Sequence, residues 1–89
     1  MTQQQETLIE FPCRFPIKVM GVRTDEFSQV VLDIALKHAP DVTAADLDMR
    51  VSKNGNYLSV TVTINAVSKL QLDSLYIELT SHPLVKVAL

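Results

Sequence analysis

Apolar and polar residues alternate along one stretch of the chain with the regularity of a half-buried strand. Over residues 56–66, every second residue from Leu58 to Ala66 is apolar. Most of the residues between them carry hydroxyl or amide groups. Because side chains of a strand point alternately to its two faces, this pattern predicts a strand with one face in a core.

Two other segments carry apolar residues at helical spacing. Over residues 25–38 these residues recur at intervals of three and four, and Thr24 precedes them as a candidate N-cap. Pro40 ends that helix. A second helix begins at Ser68, and Gln71 three residues later completes the pattern of a capping box. The predicted apolar stripes are Phe27, Val30, Val31, Ile34, Ala35 and His38 in the first helix, and Leu72, Leu75, Tyr76 and Leu79 in the second.

Three shorter apolar segments complete the set of elements. They predict strands over residues 15–22, 47–53 and 84–89. Asn54-Gly55 separates the second strand from the alternating strand and is a strong hairpin signal, because both residues tolerate positive φ. Within residues 47–53, the side chains expected to face the core are those of Leu47, Met49 and Val51.

The order of elements is β-α-β-β-α-β, which predicts an α+β fold of ferredoxin-like type. Right-handed crossovers favour a four-stranded antiparallel sheet in the order 4-1-3-2. Half-polar strands and helices with one apolar stripe place both helices on one face of the sheet and leave the other face open. We expect residues 1–89 to form a single domain in which residues 1–7 are a flexible tail.

Composition narrows the classes of function. The net charge is −2 and only 8 residues are Lys or Arg, which argues against a general nucleic-acid binder. Cys13 stands alone, so no intrachain disulfide is available and a reducing compartment fits. No apolar run approaches the roughly 20 residues of a membrane span, and the first residues are not those of a secretory signal. A cytoplasmic protein without membrane contact is expected.

Several short stretches, spread along nearly the whole chain, carry a family resemblance. They are Phe11-Pro12, Phe15-Pro16, Lys18-Val19-Met20-Gly21, His38-Ala39-Pro40, Ser52-Lys53, Gly55-Asn56-Tyr57, Ser59-Val60 and Leu75-Tyr76 with Leu79. In this order they resemble the YbeD-like family of small uncharacterised bacterial proteins, with one additional residue, Asn54, in the hairpin. The resemblance implies a ferredoxin-like fold similar to ACT-type regulatory domains, which sense small metabolites. It implies no established reaction, cofactor or substrate.

Residues able to carry out chemistry are few and scattered. The candidate metal ligands Cys13, His38 and His82 do not occur at the short spacings of zinc sites. No base neighbours the cysteine in sequence, as activation of a thiolate would require. Carboxylates at positions 25–26 and 46–48 are better explained by helix ends and solubility than by acid–base catalysis. The sequence predicts no catalytic centre, no metal and no cofactor.

The open face of the predicted sheet is the leading candidate for function, as a surface that binds another protein or a second copy of the chain. Tyr, Arg and Met are enriched in interface cores. Alternatively, threonines and a half-exposed tyrosine simply suit a strand. RNA binding needs several outward aromatic residues and is less favoured. The outer edge of the last strand could also pair with another chain. The candidate interface residues are Lys18, Met20, Arg50, Tyr57, Ser59 and Thr61.

The turn between the first strand and the first helix is the alternative site, for a small amino or carboxylic acid. Gly21, Arg23 and Thr24 lie there, and free backbone N–H groups together with a guanidinium group could bind a carboxylate. The turn lacks the Pro-Gly pair expected of an amino-acid-binding ACT domain, which counts against this hypothesis.

Overall fold

The computed structural model describes residues 10–89, so the tail predicted over residues 1–7 lies outside the described residues. These residues form four strands and two α-helices, with a single 3-10 turn, Ala44–Asp46, before the second strand. The elements are β1 (Cys13–Val22), α1 (Phe27–His38), β2 (Leu47–Val51), β3 (Tyr57–Ala66), α2 (Lys69–Ser81) and β4 (Val85–Ala88).

The four strands form one antiparallel sheet in the order β2-β3-β1-β4. This order confirms the ferredoxin-like topology predicted from the sequence. The longest ladder joins β1 to β3, from Cys13 opposite Ala66 to Val22 opposite Tyr57. Both helices contribute buried side chains to a core that also contains the inward residues of the sheet, so one sheet face is covered.

The alternation of β3 is confirmed residue by residue. Its apolar side chains from Leu58 to Ala66 are all buried, whereas Ser59, Thr61, Thr63 and Asn65 stay partly exposed. The central pair of strands thus supplies the core from one face. Their other face is available to solvent along its length.

The start of α1 differs from the prediction. The helix begins at Phe27 instead of residue 25, and the residue at its N-cap, Glu26, makes no capping hydrogen bond with its side chain. Thr24 is therefore not the cap. Its carbonyl accepts a hydrogen bond from the N–H of Phe27 at 3.3 Å. Phe27 is fully buried. Residues 25–26 form a turn that places its ring in the core, and the helix begins only after this turn.

The capping prediction for α2 holds at its first bond. Ser68 Oγ accepts a hydrogen bond from the N–H of Gln71 at 3.0 Å. The return bond is shifted by one residue, because Gln71 Oε1 accepts from the N–H of Val67, at 2.7 Å, instead of from that of Ser68. Gln71 Nε2 also donates to the carbonyl of His38 at 2.8 Å. The same side chain therefore caps α2 and ties it to the end of α1.

The strand β2 is shorter and more exposed than predicted. It ends at Val51 instead of residue 53, and Met49 and Val51 are 54% and 50% exposed. They lie on the helix side of the sheet, since they pair with the buried Val60 and Leu58 of β3. The expectation that they are core residues is nevertheless wrong. The helix layer covers this edge strand only in part, since Leu47 packs against the core whereas Met49 and Val51 line an open groove beside α1.

The hairpin between β2 and β3 forms as predicted, but only one of its two turn residues adopts a positive φ. Gly55 has a φ of +79°, whereas Asn54 does not have a positive φ. The N–H of Gly55 donates to the carbonyl of Ser52 at 2.9 Å, which closes the turn. Only the glycine needs the left-handed conformation here.

The strand β1 begins two residues earlier than predicted, at Cys13, and includes Pro16. Proline is tolerated because β4 pairs with β1 only toward its far end, between Val19 and Gly21. Lys18 exchanges backbone hydrogen bonds with Leu89, so its backbone groups point toward the β4 side of β1. Because these directions alternate along a strand, the nitrogen of Pro16 also faces that side, at a position that β4 does not reach. No ladder hydrogen bond is lost there.

The two helices are also linked by charge. Glu78 of α2 contacts Lys37 Nζ at 2.6 Å and His38 Nε2 at 2.8 Å, both at the end of α1. Hydrogen bonds from Lys37 and then from His38 lower the pKa of Glu78 below its ordinary value. His38 therefore has a structural role at the junction of the helices.

Candidate functional site

The structure brings five of the six candidate interface residues together in two adjacent rows across the sheet. In one row, Lys18 of β1 lies opposite Thr61 of β3. In the next row, Met20 lies opposite Ser59, and Ser59 lies opposite Arg50 of β2. All five side chains belong to the face that the helices do not cover. We call this surface the open face.

Tyr57, the sixth candidate, lies at one end of the open face. It is the first residue of β3, stands opposite Val22 and is 47% exposed. It belongs to the same face as Ser59 because the two residues are two positions apart on one strand, with only Leu58 between them. The single aromatic ring of the candidate set is therefore at the hairpin end of the patch and not at its centre.

The open face includes two further apolar residues, which the sequence pattern did not predict to lie there. Val87 of β4 lies opposite Met20. Leu89 exchanges backbone hydrogen bonds with Lys18, at 3.2 and 2.8 Å. They are 41% and 66% exposed, respectively. Met20, Val87 and Leu89 therefore form an apolar strip beside Lys18.

Their position was hidden from sequence reasoning by an irregularity in the ladder. The register between β1 and β4 shifts between Met20 and Gly21, so β4 contributes one residue more than β1. A one-residue shift exchanges the faces of a strand, and a bulge leaves no clear composition signal in so short a segment. The alternation of residues 84–89 alone could not assign Val87 to the open face.

Charges on and beside the open face are of both signs. Arg50 Nε lies 3.4 Å from Oδ2 of Asp48, and both side chains are well exposed. At the other end, Arg14 contacts Asp46 at 2.8 Å. A backbone hydrogen bond from Thr43, followed by that from Arg14, lowers the pKa of Asp46. With acids beside its arginines and one aromatic ring at its end, this face is poorly suited to stacking nucleotides.

At the alternative site, Gly21 is enclosed by protein atoms. A Cβ at this position would overlap the carbonyl oxygen of Leu84 and Cε1 of Phe27, and would lie 2.7 Å from Cζ of the same ring. Gly21 is buried, so its lack of a side chain serves the packing of Phe27 beneath the strand. It does not leave space for a ligand.

Arg23 and Thr24, by contrast, line an open groove. The groove has a volume of about 370 Å³, and Asp25, Ser28, Met49, Val51 and Leu58 complete its lining. Arg23 Nη1 donates to the carbonyl of Gly55 at 3.2 Å, which holds the guanidinium near the hairpin. The hydroxyl oxygen of Thr24 is buried and makes no hydrogen bond. Because this oxygen has no surface accessible from the groove, its missing hydrogen bond is a cost of packing and not a sign of a ligand.

The residues considered for metal binding lie apart. Cys13 is half-buried against the core. His82 Nδ1 accepts a hydrogen bond from the N–H of Leu84 at 3.1 Å. Within residues 10–89, no three side chains among the histidines, the cysteine and the acids converge as metal ligands. Among the helices of the same residues, none is long and apolar enough to cross a membrane.

Comparison with known proteins places the chain among bacterial relatives. It is 45% identical over 89 residues to a UPF0250 protein of Chromobacterium violaceum, covering all of both chains. It is 52% identical over 85 residues to UPF0250 protein NE1487 of Nitrosomonas europaea, covering 96% of this chain and 98% of the relative. The names of these relatives state no enzymatic activity. The matches confirm the resemblance to the YbeD-like proteins.

A solved structure supports the same fold. The solution structure of protein HP0495 from H. pylori superposes with a TM-score of 0.75 at 16% sequence identity, covering 91% of this chain and 85% of that one. Residues 6–89 match the family described as "Protein of unknown function (DUF493)". The chain therefore belongs to this family of small uncharacterised proteins.

Proposed function

We propose that the chain is a cytoplasmic, non-enzymatic regulatory or adaptor domain that binds another protein through the open face of its sheet. The observation that carries this proposal is the apolar strip of the partly exposed Met20 and the exposed Val87 and Leu89, with Lys18 beside it and Arg50 two strands away. An apolar centre with a polar rim is the usual anatomy of a protein interface.

The composition of the patch indicates what the partner offers. Its apolar strip needs a matching apolar side chain, and its rim carries Lys18 and Arg50 together with Asp48. A partner with both signs of charge around an apolar centre fits such a rim better than a uniformly charged polymer does. Tyr57 extends the contact area toward the hairpin.

The test is to recover the partner from bacterial extract with tagged protein and compare variants of the two faces. Val87→Asp should reduce recovery at least about tenfold, because a buried unpaired carboxylate opposes binding. The double variant Tyr57→Ala, Arg50→Ala should weaken recovery as well. Ile77→Asp is the matched control, since Ile77 is an exposed apolar residue of α2, 65% exposed. Recovery that survives both open-face variants would show that this face is not the interface.

A second candidate function, a sensor that binds a small metabolite, is favoured by the groove beside α1. Its support is the open groove itself, which the cationic side chain of Arg23 lines. A carboxylate in the groove could accept a hydrogen bond from this guanidinium group.

The amide NMR spectrum of labelled protein tests this second candidate. Addition of the small-molecule fraction of bacterial cytosol should cause saturable shifts between Gly21 and Thr24. In the Arg23→Ala variant these shifts should need at least about tenfold more of the fraction, because a charge-assisted hydrogen bond is lost. Unchanged titration of that variant would show that the ligand binds elsewhere.

A further inference from the structure

The outer edge of β2 is unpaired within the described residues, where β2 has β3 as its single neighbour. The direction of its backbone groups follows from one hydrogen bond. The N–H of Ser52 donates to the carbonyl of Tyr57 at 2.9 Å, so it points toward β3. Because these directions alternate along a strand, the backbone groups of Asp48 and Arg50 also point toward β3. The backbone groups of Leu47, Met49 and Val51 point outward.

Ladders elsewhere in the sheet agree with this alternation. Lys18 and Leu89 exchange backbone hydrogen bonds, so the backbone N–H and C=O groups of Lys18 point toward β4. Those of its neighbour Val19 therefore point toward β3. Val19 pairs with Val60, which in turn pairs with Met49. Since Val60 directs its backbone groups to β1, those of Met49 face away from β3.

The five residues of β2 are complementary to themselves when the strand is reversed. In an antiparallel pair related by a twofold axis through Met49, Asp48 lies opposite the partner's Arg50. Leu47 likewise lies opposite the partner's Val51, and the two copies of Met49 face each other. We infer that two copies of this chain associate through β2 in this register, as a symmetric dimer with a continuous eight-stranded sheet.

The pairing satisfies groups that are exposed in the single chain. Met49 N–H would donate to the carbonyl of the partner's Met49, and Val51 N–H to that of the partner's Leu47, giving four hydrogen bonds by symmetry. Leu47 N–H already donates to the carbonyl of Ala44 and adds none. Met49 and Val51, now about half exposed, would gain apolar neighbours on the helix side.

The charges on the other side are equally matched. Arg50 and Asp48 now contact each other within one strand at 3.4 Å, between largely exposed side chains. In the dimer each would lie directly opposite an opposite charge, and such cross-strand pairs stabilise a sheet. The symmetric register thus gains two charge pairs in addition to its hydrogen bonds.

The other free edge fits such pairing less well. The ladder of β4 with β1 shifts register between Met20 and Gly21, and bulged edges are typical of strands that do not pair further. Reversal of residues 85–89 brings Lys86 opposite Ala88, with no opposite charge. A contact between β2 of one copy and β4 of another would also be open-ended and build fibres. The dimer shares Arg50 with the open face, and Met49 and Val51 with the groove, but its test needs neither a partner nor a ligand because it uses the purified chain alone.

Sedimentation equilibrium with charge-reversal variants tests the dimer. Asp48→Arg and Arg50→Asp each turn two attractive pairs into two repulsive pairs, so each variant alone should dissociate about twentyfold more readily than the original chain. An equimolar mixture of the two should associate as heterodimers, because every pair is again opposite in sign. The double variant, with both charges exchanged, should recover self-association.

A backbone variant provides the independent check. Met49→Pro removes an outward N–H, so it should abolish the dimer and leave the circular dichroism spectrum of the monomer intact. An original chain that stays monomeric at about 1 mM, corresponding to a binding free energy weaker than about 4 kcal/mol, would overturn the inference. So would single reversals that leave association unchanged, or a mixture that fails to associate.

Discussion

Replacing Gly21 with alanine should lower the free energy of unfolding by about 3 kcal/mol, the upper part of the range for overpacked cores. The added methyl group would overlap the backbone carbonyl of Leu84 and the ring of Phe27. Neither neighbour can yield easily. Leu84 O accepts the N–H of Val22 at 3.1 Å, and the ring is fully buried. Urea unfolding followed by circular dichroism measures the change.

The matched control is alanine at the other glycine of the chain. Gly55 has a φ of +79°, and a Cβ there would meet just the end of the Arg23 side chain, at 3.2 Å. That variant should lose about 1–2 kcal/mol, from the left-handed backbone alone. If the alanine at position 21 lowered the free energy of unfolding no more than the alanine at position 55, the close packing of Gly21 against Phe27 and Leu84 would be contradicted.

Phe27→Ala should lower the free energy of unfolding by about 3–5 kcal/mol. Phe27 is the first residue of α1, has no exposed surface and joins the helix to β1. Because domains of this size have only about 5–10 kcal/mol in total, the variant should be close to unfolding at room temperature. Phe27→Leu keeps part of the volume and should show a smaller loss, which keeps the measurement possible.

The two positions should also be coupled. In the Phe27→Ala background, Gly21→Ala should be less harmful than in the original chain, because the clash with the ring is gone. The clash with Leu84 O remains, so the second loss should shrink without vanishing. Additive losses in this double-mutant cycle would show that the glycine and the ring do not contact each other.

Residues 56–66 show why much of this fold was predictable. The strict alternation of β3 identifies its buried face without knowledge of its neighbours, and the Ser68 cap marks the start of α2 from local hydrogen bonding alone. The strand order then follows from the handedness of the two crossovers. Features determined by local chemistry or by simple topology were accessible from the sequence.

The errors fall where tertiary packing overrides local pattern. Thr24 precedes an apolar helical stripe, yet burial of Phe27 shifts the start of the helix past it. Met49 and Val51 alternate like core residues, but β2 is an edge strand that α1 covers only in part. The apolar strip of the candidate site was missed in part, because the register of β4 depends on a bulge. Exposure at a sheet edge and register across a bulge are properties of the assembled sheet.

The measurement that tests the central claim most directly is site-specific photo-crosslinking in living bacteria. A photoreactive amino acid at position 20, in the middle of the open face, should give a defined crosslinked species with a partner protein. The same group at position 77, on the exposed side of α2, should give none. Val87→Asp should remove the crosslink from position 20. Equal crosslinking from both positions, or a crosslink from position 77 alone, would contradict the assignment of the open face as the binding surface.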